Sequence, residues 1–170
     1  MFKAAAPGIC VVFTCISLFI AGSCSKPSNP SRSETPVYRA RTISTVNMNA
    51  DIINLVNQIR QTKHLPPLRI LQSASFEAAR HSEDMAAKRV PFGHDGFKQR
   101  AIALANDLNG SSATGENVAT GKMTAKQVIA AWLKSSAHRA NIEGDFTYTG
   151  VGVARDSRGV LYYTELFVKK

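Results

Sequence analysis

The stretch GVGVARDSRGVLYYTELFV, residues 150–168, decides the fold class of this chain. Val151 and Val153 alternate with small residues, and the segment from Val160 to Val168 is rich in β-branched and aromatic side chains. Both patterns are typical of β-strands, and the Asp156–Gly159 segment between them has the composition of a turn. The end of the chain is therefore predicted to be a β-hairpin.

Upstream of the hairpin, apolar residues recur at helical spacing in four segments. The predicted helices are one capped by Asn49 and ended by Pro66-Pro67, one from about Ser73 to Lys88, one from Phe97 to about Leu108, and one that opens with a Thr124–Gln127 capping box. The Gly- and Ser-rich segment before Glu116 is predicted to be a loop. Helices first and strands last predict an α+β domain in which helices cover an antiparallel sheet.

The first residues have the layout of a secretory leader. Lys3 carries a positive charge, residues 9–20 form an apolar run too short to span a bilayer as a stable helix, and three small residues follow. We predict a signal peptide over residues 1–23. Cys24 lies in a setting that resembles a bacterial lipobox, in which the cysteine is acylated and anchors the protein to a membrane. Simple secretion is the alternative.

Residues 25–47 are rich in Ser, Pro, Asn and Arg, which predicts a flexible linker before a folded domain over residues 48–170. The chain has three cysteines, Cys10, Cys15 and Cys24, all at or before the predicted cleavage point. The folded domain is therefore expected to hold together by core packing, without disulfides.

The charge balance is basic, with 21 Lys and Arg residues against 12 Asp and Glu residues. For an exported protein, anionic lipid or cell-wall polymer is the expected neighbour if the charge has a partner, but a soluble surface that happens to be basic is the favoured explanation. The sequence has no block of basic residues interleaved with aromatic residues, so nucleic acid is not a predicted partner.

Three polar residues could carry chemistry, because imidazole and carboxylate groups bind zinc or move protons near neutral pH. They are His94 in Phe-Gly-His-Asp-Gly, Glu116 in Gly-Glu-Asn-Val-Ala, and His138 in Ser-Ser-Ala-His-Arg-Ala-Asn-Ile. No local His-x-x-x-His spacing ties them together, so their meeting depends on the fold. Structural explanations also exist: Glu116 could accept hydrogen bonds from backbone groups of its loop, and His138 could interact with the dipole at a helix end.

Other candidates favour structural roles. His81 lies mid-helix beside Met and Ala and is predicted to be a packed or half-exposed structural histidine. Trp132 lies on an apolar stripe and is predicted to pack in the core. Neither Ser82 nor Ser135 nor Ser136 lies in a Gly-x-Ser-x-Gly elbow, so no nucleophile stands out.

An ordered set of motifs runs through the chain: Asn57-Gln58-Ile59-Arg60, His81-Ser82-x-x-Met85, Gly93-His94, Gly115-Glu116-Asn117, Trp132-x-x-Ser135, His138-Arg139-x-Asn141, Gly150-Val151-Gly152 and Tyr163-Thr164-Glu165-Leu166-Phe167. Together they resemble the CAP superfamily of cysteine-rich secretory, antigen 5 and pathogenesis-related proteins, in its disulfide-free bacterial branch. The resemblance covers about Ala50 to Phe167. It implies a three-layer α-β-α sandwich of the CAP/SCP type with a central cleft.

In that family, two histidines and two glutamates line the cleft and can hold a divalent metal. The resemblance places His94, Glu116 and His138 at three of these positions and implies a metal site, with zinc the expected ion. Ser135 stands where the eukaryotic branch has its second glutamate. The remaining residues expected at the cleft are Asn117 and Asn141.

Two functional classes follow from this resemblance. The first is an envelope binding module, which uses the cleft for a lipid, a cell-wall fragment or a protein. The second is a metal-assisted hydrolase, with Glu116 and His138 as the candidate catalytic residues. A purely structural role is the third alternative.

Overall fold

The computed structural model describes residues 44–111 and 113–170. The elements in chain order are α1 Thr45–Thr62, β1 Arg69–Ile70, α2 Gln72–Ala86, α3 Phe97–Asp107, β2 Ala113–Gly121, α4 Ala125–Lys134, α5 Ser136–Ile142, β3 Tyr148–Arg155 and β4 Leu161–Lys169. The predicted signal peptide, Cys24 and most of the predicted linker lie outside the described residues. Within those ranges, no helix has both the length and the apolar character that crossing a bilayer requires.

The four strands form one sheet in the order β1-β3-β4-β2. β3 and β4 pair antiparallel, with Val151 opposite Glu165, which confirms the predicted hairpin. β2 also pairs antiparallel with β4. The sheet is mixed rather than purely antiparallel, because the two-residue strand β1 pairs parallel with β3. A strand of two residues has no alternating pattern, so the sequence could not indicate it.

Helices cover both faces of the sheet, which confirms the α+β class and the three-layer α-β-α arrangement. On one face, α1 and α4 pack against the sheet around Val56, Trp132, Tyr163 and Phe167. The other face carries α2 and α3, in a smaller cluster of buried residues: Ala74, Ala78, Leu104, Leu166 and Val168. Trp132 is buried in the first core, as predicted, and its indole N–H donates to the backbone oxygen of Val118 at 3.1 Å.

Two glycines of β3 allow α2 to lie directly on the strand. A Cβ atom at Gly150 would lie 2.1 Å from the backbone N of Ser75, and one at Gly152 would lie 2.1 Å from the backbone N of Ala79. Real structures do not tolerate such distances between these atoms. The Gly-Val-Gly motif is therefore a packing device rather than a ligand-binding loop.

The Asn57-to-Arg60 motif fastens loops to α1. The side-chain amide of Asn57 donates to Leu68 O at 3.0 Å, and its oxygen accepts from Leu68 N at 2.8 Å. The buried guanidinium of Arg60 donates to the backbone oxygens of Ile142 and Gly144 at 2.9 and 2.8 Å. These oxygens lie at the C-terminal end of α5, so Arg60 fixes the position of that helix.

Three sequence predictions about element boundaries need correction. α1 begins at Thr45, four residues before the predicted cap Asn49, because Met48 is buried in the core and packing extends the helix. The predicted loop leading to Glu116 ends earlier than expected, because the strand β2 begins at Ala113 and includes Glu116. The predicted fourth helix ends at Lys134, and a separate helix, α5, carries His138. The capping box of α4 is confirmed, with both reciprocal hydrogen bonds present.

Candidate functional site

Glu116 forms a buried ion pair with Arg100. Glu116 lies on β2 opposite Leu166, so its side chain faces the α2–α3 layer. Arg100 of α3 donates from Nε to Oε2 at 2.7 Å and from Nη2 to Oε1 at 2.9 Å. The exposed fractions of the two side chains are 6% for Arg100 and 1% for Glu116. This bidentate contact satisfies both carboxylate oxygens and neutralises the charge of Glu116 inside the protein.

Arg100 was not among the candidates predicted from the sequence. It lies three residues after Phe97 and four before Leu104, both of which contact the α2–α3 core, so it occupies the apolar face of α3. A lone arginine on an apolar stripe was the signal that could have identified it, because a buried guanidinium requires an acceptor. Its Nη1 also donates to Asp95 O at 2.8 Å and so holds the loop before α3.

His94 lies in that loop and contacts the same carboxylate. Its Nδ1 is 2.8 Å from Oε1 of Glu116, while 52% of the side chain is exposed. Because a carboxylate only accepts hydrogen bonds, Nδ1 carries the proton in this contact. In the neutral ring, Nε2 is then an unprotonated acceptor. The arrangement resembles a histidine oriented by a carboxylate, with the carboxylate itself held by Arg100.

His81 supports the loop that carries His94. It is buried, and its Nε2 is 2.9 Å from the backbone oxygen of Gly93, next to His94. Burial lowers the pKa of His81 despite this hydrogen bond, so the neutral ring is favoured. The predicted structural role of His81 is confirmed, and its partner shows that it also positions the His94 loop.

His138 lies in the first turn of α5 and is partly buried. The pKa of His138 is lowered, first by burial and second by the charge of His94. The backbone oxygen of His138 accepts from Asn117 Nδ2 at 3.1 Å, which places His138 beside the residue that follows Glu116. The suggested interaction with the dipole at the end of a helix is wrong, because His138 stands near the beginning of α5, where a helix disfavours a cation. We call His94, Arg100, Glu116 and His138 the imidazole site.

Asn117 and Asn141 join α5 to β2. Asn117 is buried and donates from Nδ2 to the backbone oxygen of His138 at 3.1 Å. Asn141 donates to Asn117 Oδ1 at 2.8 Å and to the backbone oxygen of Glu116 at 3.2 Å. Gly115 makes room for this contact, since a Cβ there would lie 2.6 Å from Asn141 Oδ1. These two asparagines, predicted to line a cleft, hold the imidazole site together.

Ser135, also predicted to line the cleft, separates α4 from α5. It is the N-cap of α5, and its Oγ accepts from the backbone N of His138 at 3.5 Å. The hydroxyl therefore has a structural partner on the same short helix.

The arrangement does not fit a metal site in which Glu116 is a ligand. Both of its oxygens already accept hydrogen bonds from Arg100, and a divalent cation there would face a buried guanidinium. Within residues 44–111 and 113–170, no group of three or more His, Cys, Asp or Glu side chains is placed to hold a metal ion. The zinc site implied by the resemblance stays a prediction.

The protein has helices on both faces of a small sheet, which is the architecture of the α-β-α sandwich proteins to which CAP domains belong. Two histidines and a glutamate lie at the β2 edge of this sheet. Residues 53–167 match the model of the cysteine-rich secretory protein family, CAP, and the chain belongs to this family. A relative in Bacillus subtilis, the uncharacterized protein YkwD, is 32% identical over 129 residues, which cover 70% of this chain and 46% of YkwD.

Solved structures show the same fold. An extracellular protein of Bacillus anthracis that contains an SCP domain aligns with a TM-score of 0.64 and 30% identity, over 74% of this chain and 41% of that protein. An outer surface protein of Borrelia burgdorferi aligns with a TM-score of 0.65 and 20% identity, over 75% of this chain and 96% of the Borrelia protein. The chain thus spans less than half of the Bacillus proteins and nearly all of the Borrelia protein.

Proposed function

We propose that this protein is an exported CAP-domain protein, anchored to a membrane through Cys24, that acts as a binding module at the cell envelope. The leader-like sequence and the small residues before Cys24 support export and acylation. The names of two similar structures, an extracellular protein and an outer surface protein, support the same location. The basic composition suits an envelope rich in anionic polymers and lipids.

The observation that carries the binding role is the way His94 is held. Burying Arg100 and Glu116 together removes two charges from water, and such a pair contributes little to stability compared with apolar residues. What the pair achieves is a fixed orientation of one half-exposed imidazole, whose Nε2 accepts hydrogen bonds when the ring is neutral. Partners that donate hydrogen bonds, such as sugar hydroxyls and peptide amides, fit this group.

Cell-wall fragments combine sugar hydroxyls and peptide amides in one molecule, so they are the proposed ligand class. The test is titration of the purified full-length chain with soluble peptidoglycan fragments, monitored by calorimetry. His94→Asn removes the imidazole from the site. His64→Asn is the matched control, because His64 is an exposed histidine in the loop after α1. We expect binding by the wild type and by the control, and loss of binding in His94→Asn. Equal binding by all three proteins would contradict the proposal.

A metal-assisted hydrolase is the second candidate, and the oriented imidazole is the observation that favours a catalytic role. Glu116 is a poor candidate for the base, since both of its oxygens are engaged by Arg100. Elemental analysis of the wild type and of a His94→Ala/His138→Ala variant measures whether the two histidines are needed to hold a metal ion. Peptide cleavage that disappears in folded His138→Ala would favour the hydrolase over the binding module.

A further inference from the structure

A polar pocket opens between the end of α2 and the β3–β4 turn. It has a volume of about 660 Å³. Its basic lining residues are Lys88, Arg89, Arg155 and Arg158. None of its lining residues belongs to the imidazole site, so the pocket and that site can be altered separately.

Two acidic residues at or beside this pocket, Asp84 and Asp156, already pair with arginines. Asp84 accepts from Arg89 Nε at 2.6 Å. Asp156 has a side chain that is 4% exposed and lies 3.1 Å from Arg158 Nη2. Asp156 also accepts from the backbone N–H groups of Arg158 and Val160, at 2.9 and 2.8 Å. The Asp156 carboxylate therefore stabilises the β3–β4 turn and also pairs with Arg158.

The positive charge at the pocket exceeds the negative charge. A fifth cation is close by, since Lys122 Cε lies 4.0 Å from the position that a Cβ would take at Gly159 in the β3–β4 turn. The acidic residues at or beside the pocket are Glu83, Asp84 and Asp156. Five cations against three carboxylates leave a local excess of positive charge that attracts an anion.

The residues that line the pocket indicate which class of anion it would bind. Apart from the aliphatic parts of charged residues, the apolar lining consists of Ala86, Ala87 and Ala154, which offer too little surface to hold an acyl chain. Guanidinium groups bind phosphate oxygens with two parallel hydrogen bonds, and lysine adds a mobile positive charge. The cavity is also larger than a bare phosphate ion requires.

We propose that this pocket binds a phosphate ester with a small polar substituent, such as glycerol phosphate. Such a group occurs both as a free molecule and as the headgroup of an anionic phospholipid. The pocket shares no lining residue with the imidazole site, so the two sites can bind their ligands independently.

The experiment uses the full-length chain in a non-ionic detergent, titrated calorimetrically with glycerol 3-phosphate and, as a control ligand, glycerol. Lys88→Asn removes one charge and retains a residue suited to the positive φ of 58° at this position. Lys88→Asn/Arg155→Gln removes two charges. Lys98→Gln, at an exposed position on α3, is the matched control for lost net charge.

We expect saturable binding of glycerol 3-phosphate and none of glycerol. Binding should weaken about fivefold in Lys88→Asn and roughly twentyfold or more in the double variant, and by less than about twofold in the Lys98→Gln control. Thermal unfolding followed by circular dichroism establishes that the variants are folded. Absence of binding by the wild type would overturn the proposal. An equal loss in Lys98→Gln would also overturn it, because that result would show attraction to net charge rather than to a site.

The source of the phosphate is resolved with vesicles of phosphatidylcholine, alone or mixed with phosphatidylglycerol. Any leader or anchor is the same in every variant, so differences among variants report the pocket. If the double variant binds more weakly to the vesicles with phosphatidylglycerol but not to those of pure phosphatidylcholine, the ligand is a lipid headgroup. Binding of glycerol 3-phosphate with no variant effect on vesicles would identify a free phosphate ester. Failure of peptidoglycan fragments to bind would leave this result unaffected, so the two proposals can fail separately.

Discussion

Replacing Arg100 by methionine should destabilise the protein far more than a typical surface substitution. The side chains of Arg100 and Glu116 are 6% and 1% exposed, and removing the guanidinium leaves the carboxylate buried without its cation. Breaking a buried ion pair in this way costs about 3–5 kcal/mol. The free energy of unfolding of a domain is typically about 5–15 kcal/mol, so the loss is a large share of the total.

Urea unfolding followed by circular dichroism measures this loss. The informative comparison is with Arg100→Met/Glu116→Gln, in which no unpaired charge is buried. Because a buried pair contributes little compared with neutral residues of similar size, we expect the double variant to recover at least about 2 kcal/mol relative to Arg100→Met. A cost below about 1 kcal/mol for Arg100→Met, or simple addition of the effects of the two substitutions, would contradict this expectation.

Three further predictions concern other parts of the fold. Burial raises the pKa of Glu165 to about 8 from a normal value of 4.5. Between these two pH values the folded protein keeps a proton that the unfolded chain releases, so the free energy of unfolding falls as the pH rises. Urea unfolding should show a fall of up to about 4 kcal/mol from about pH 5 to about pH 9 in the wild type. Glu165→Gln should abolish this fall. Gly152→Ala would place a Cβ 2.1 Å from the backbone N of Ala79. Thermal unfolding should therefore show a free energy of unfolding lower by more than about 3 kcal/mol, or no folded protein at all. A decrease below about 1 kcal/mol would contradict direct contact of α2 with β3. His94→Ala removes an imidazole whose protonated form lowers the pKa of His138. This pKa should therefore rise in an NMR titration, and an unchanged value would show that the imidazoles do not interact.

Local sequence patterns predicted the elements that form through neighbouring residues. The hairpin was visible because both strands alternate or carry β-branched residues around a turn. The capping box of α4 was visible because Thr124 and Gln127 lie three residues apart. The burial of Trp132 followed from its place on the apolar stripe of the same helix.

Features that depend on tertiary contacts were missed. β2 carries Gly, Glu and Asn, which have low strand propensity, and it forms because pairing with β4 and cover from α5 outweigh that preference. Arg100 was not identified because its partner lies on a distant strand. The break between α4 and α5 at Ser135 contains neither proline nor glycine, so it gave no signal in the sequence.

The position of α5 beside β2 depends on hydrogen bonds made by Asn141. This side chain donates to Glu116 O and to Asn117 Oδ1, and Asn117 in turn donates to His138 O. Asn141→Ala would leave two acceptors at the edge of β2 without these donors. We expect a loss of about 1–3 kcal/mol in urea unfolding, because buried polar groups without partners are costly.

The same substitution should also change the pKa of His138. If α5 moves away from β2, both causes that lower the pKa of His138 weaken, so its pKa should rise toward the normal value of 6.5 in an NMR titration. Asn54→Ala, at an exposed position on α1, is the control and should leave both quantities unchanged. A destabilised Asn141→Ala variant with an unchanged His138 pKa would show that the asparagine stabilises the fold without positioning the imidazole.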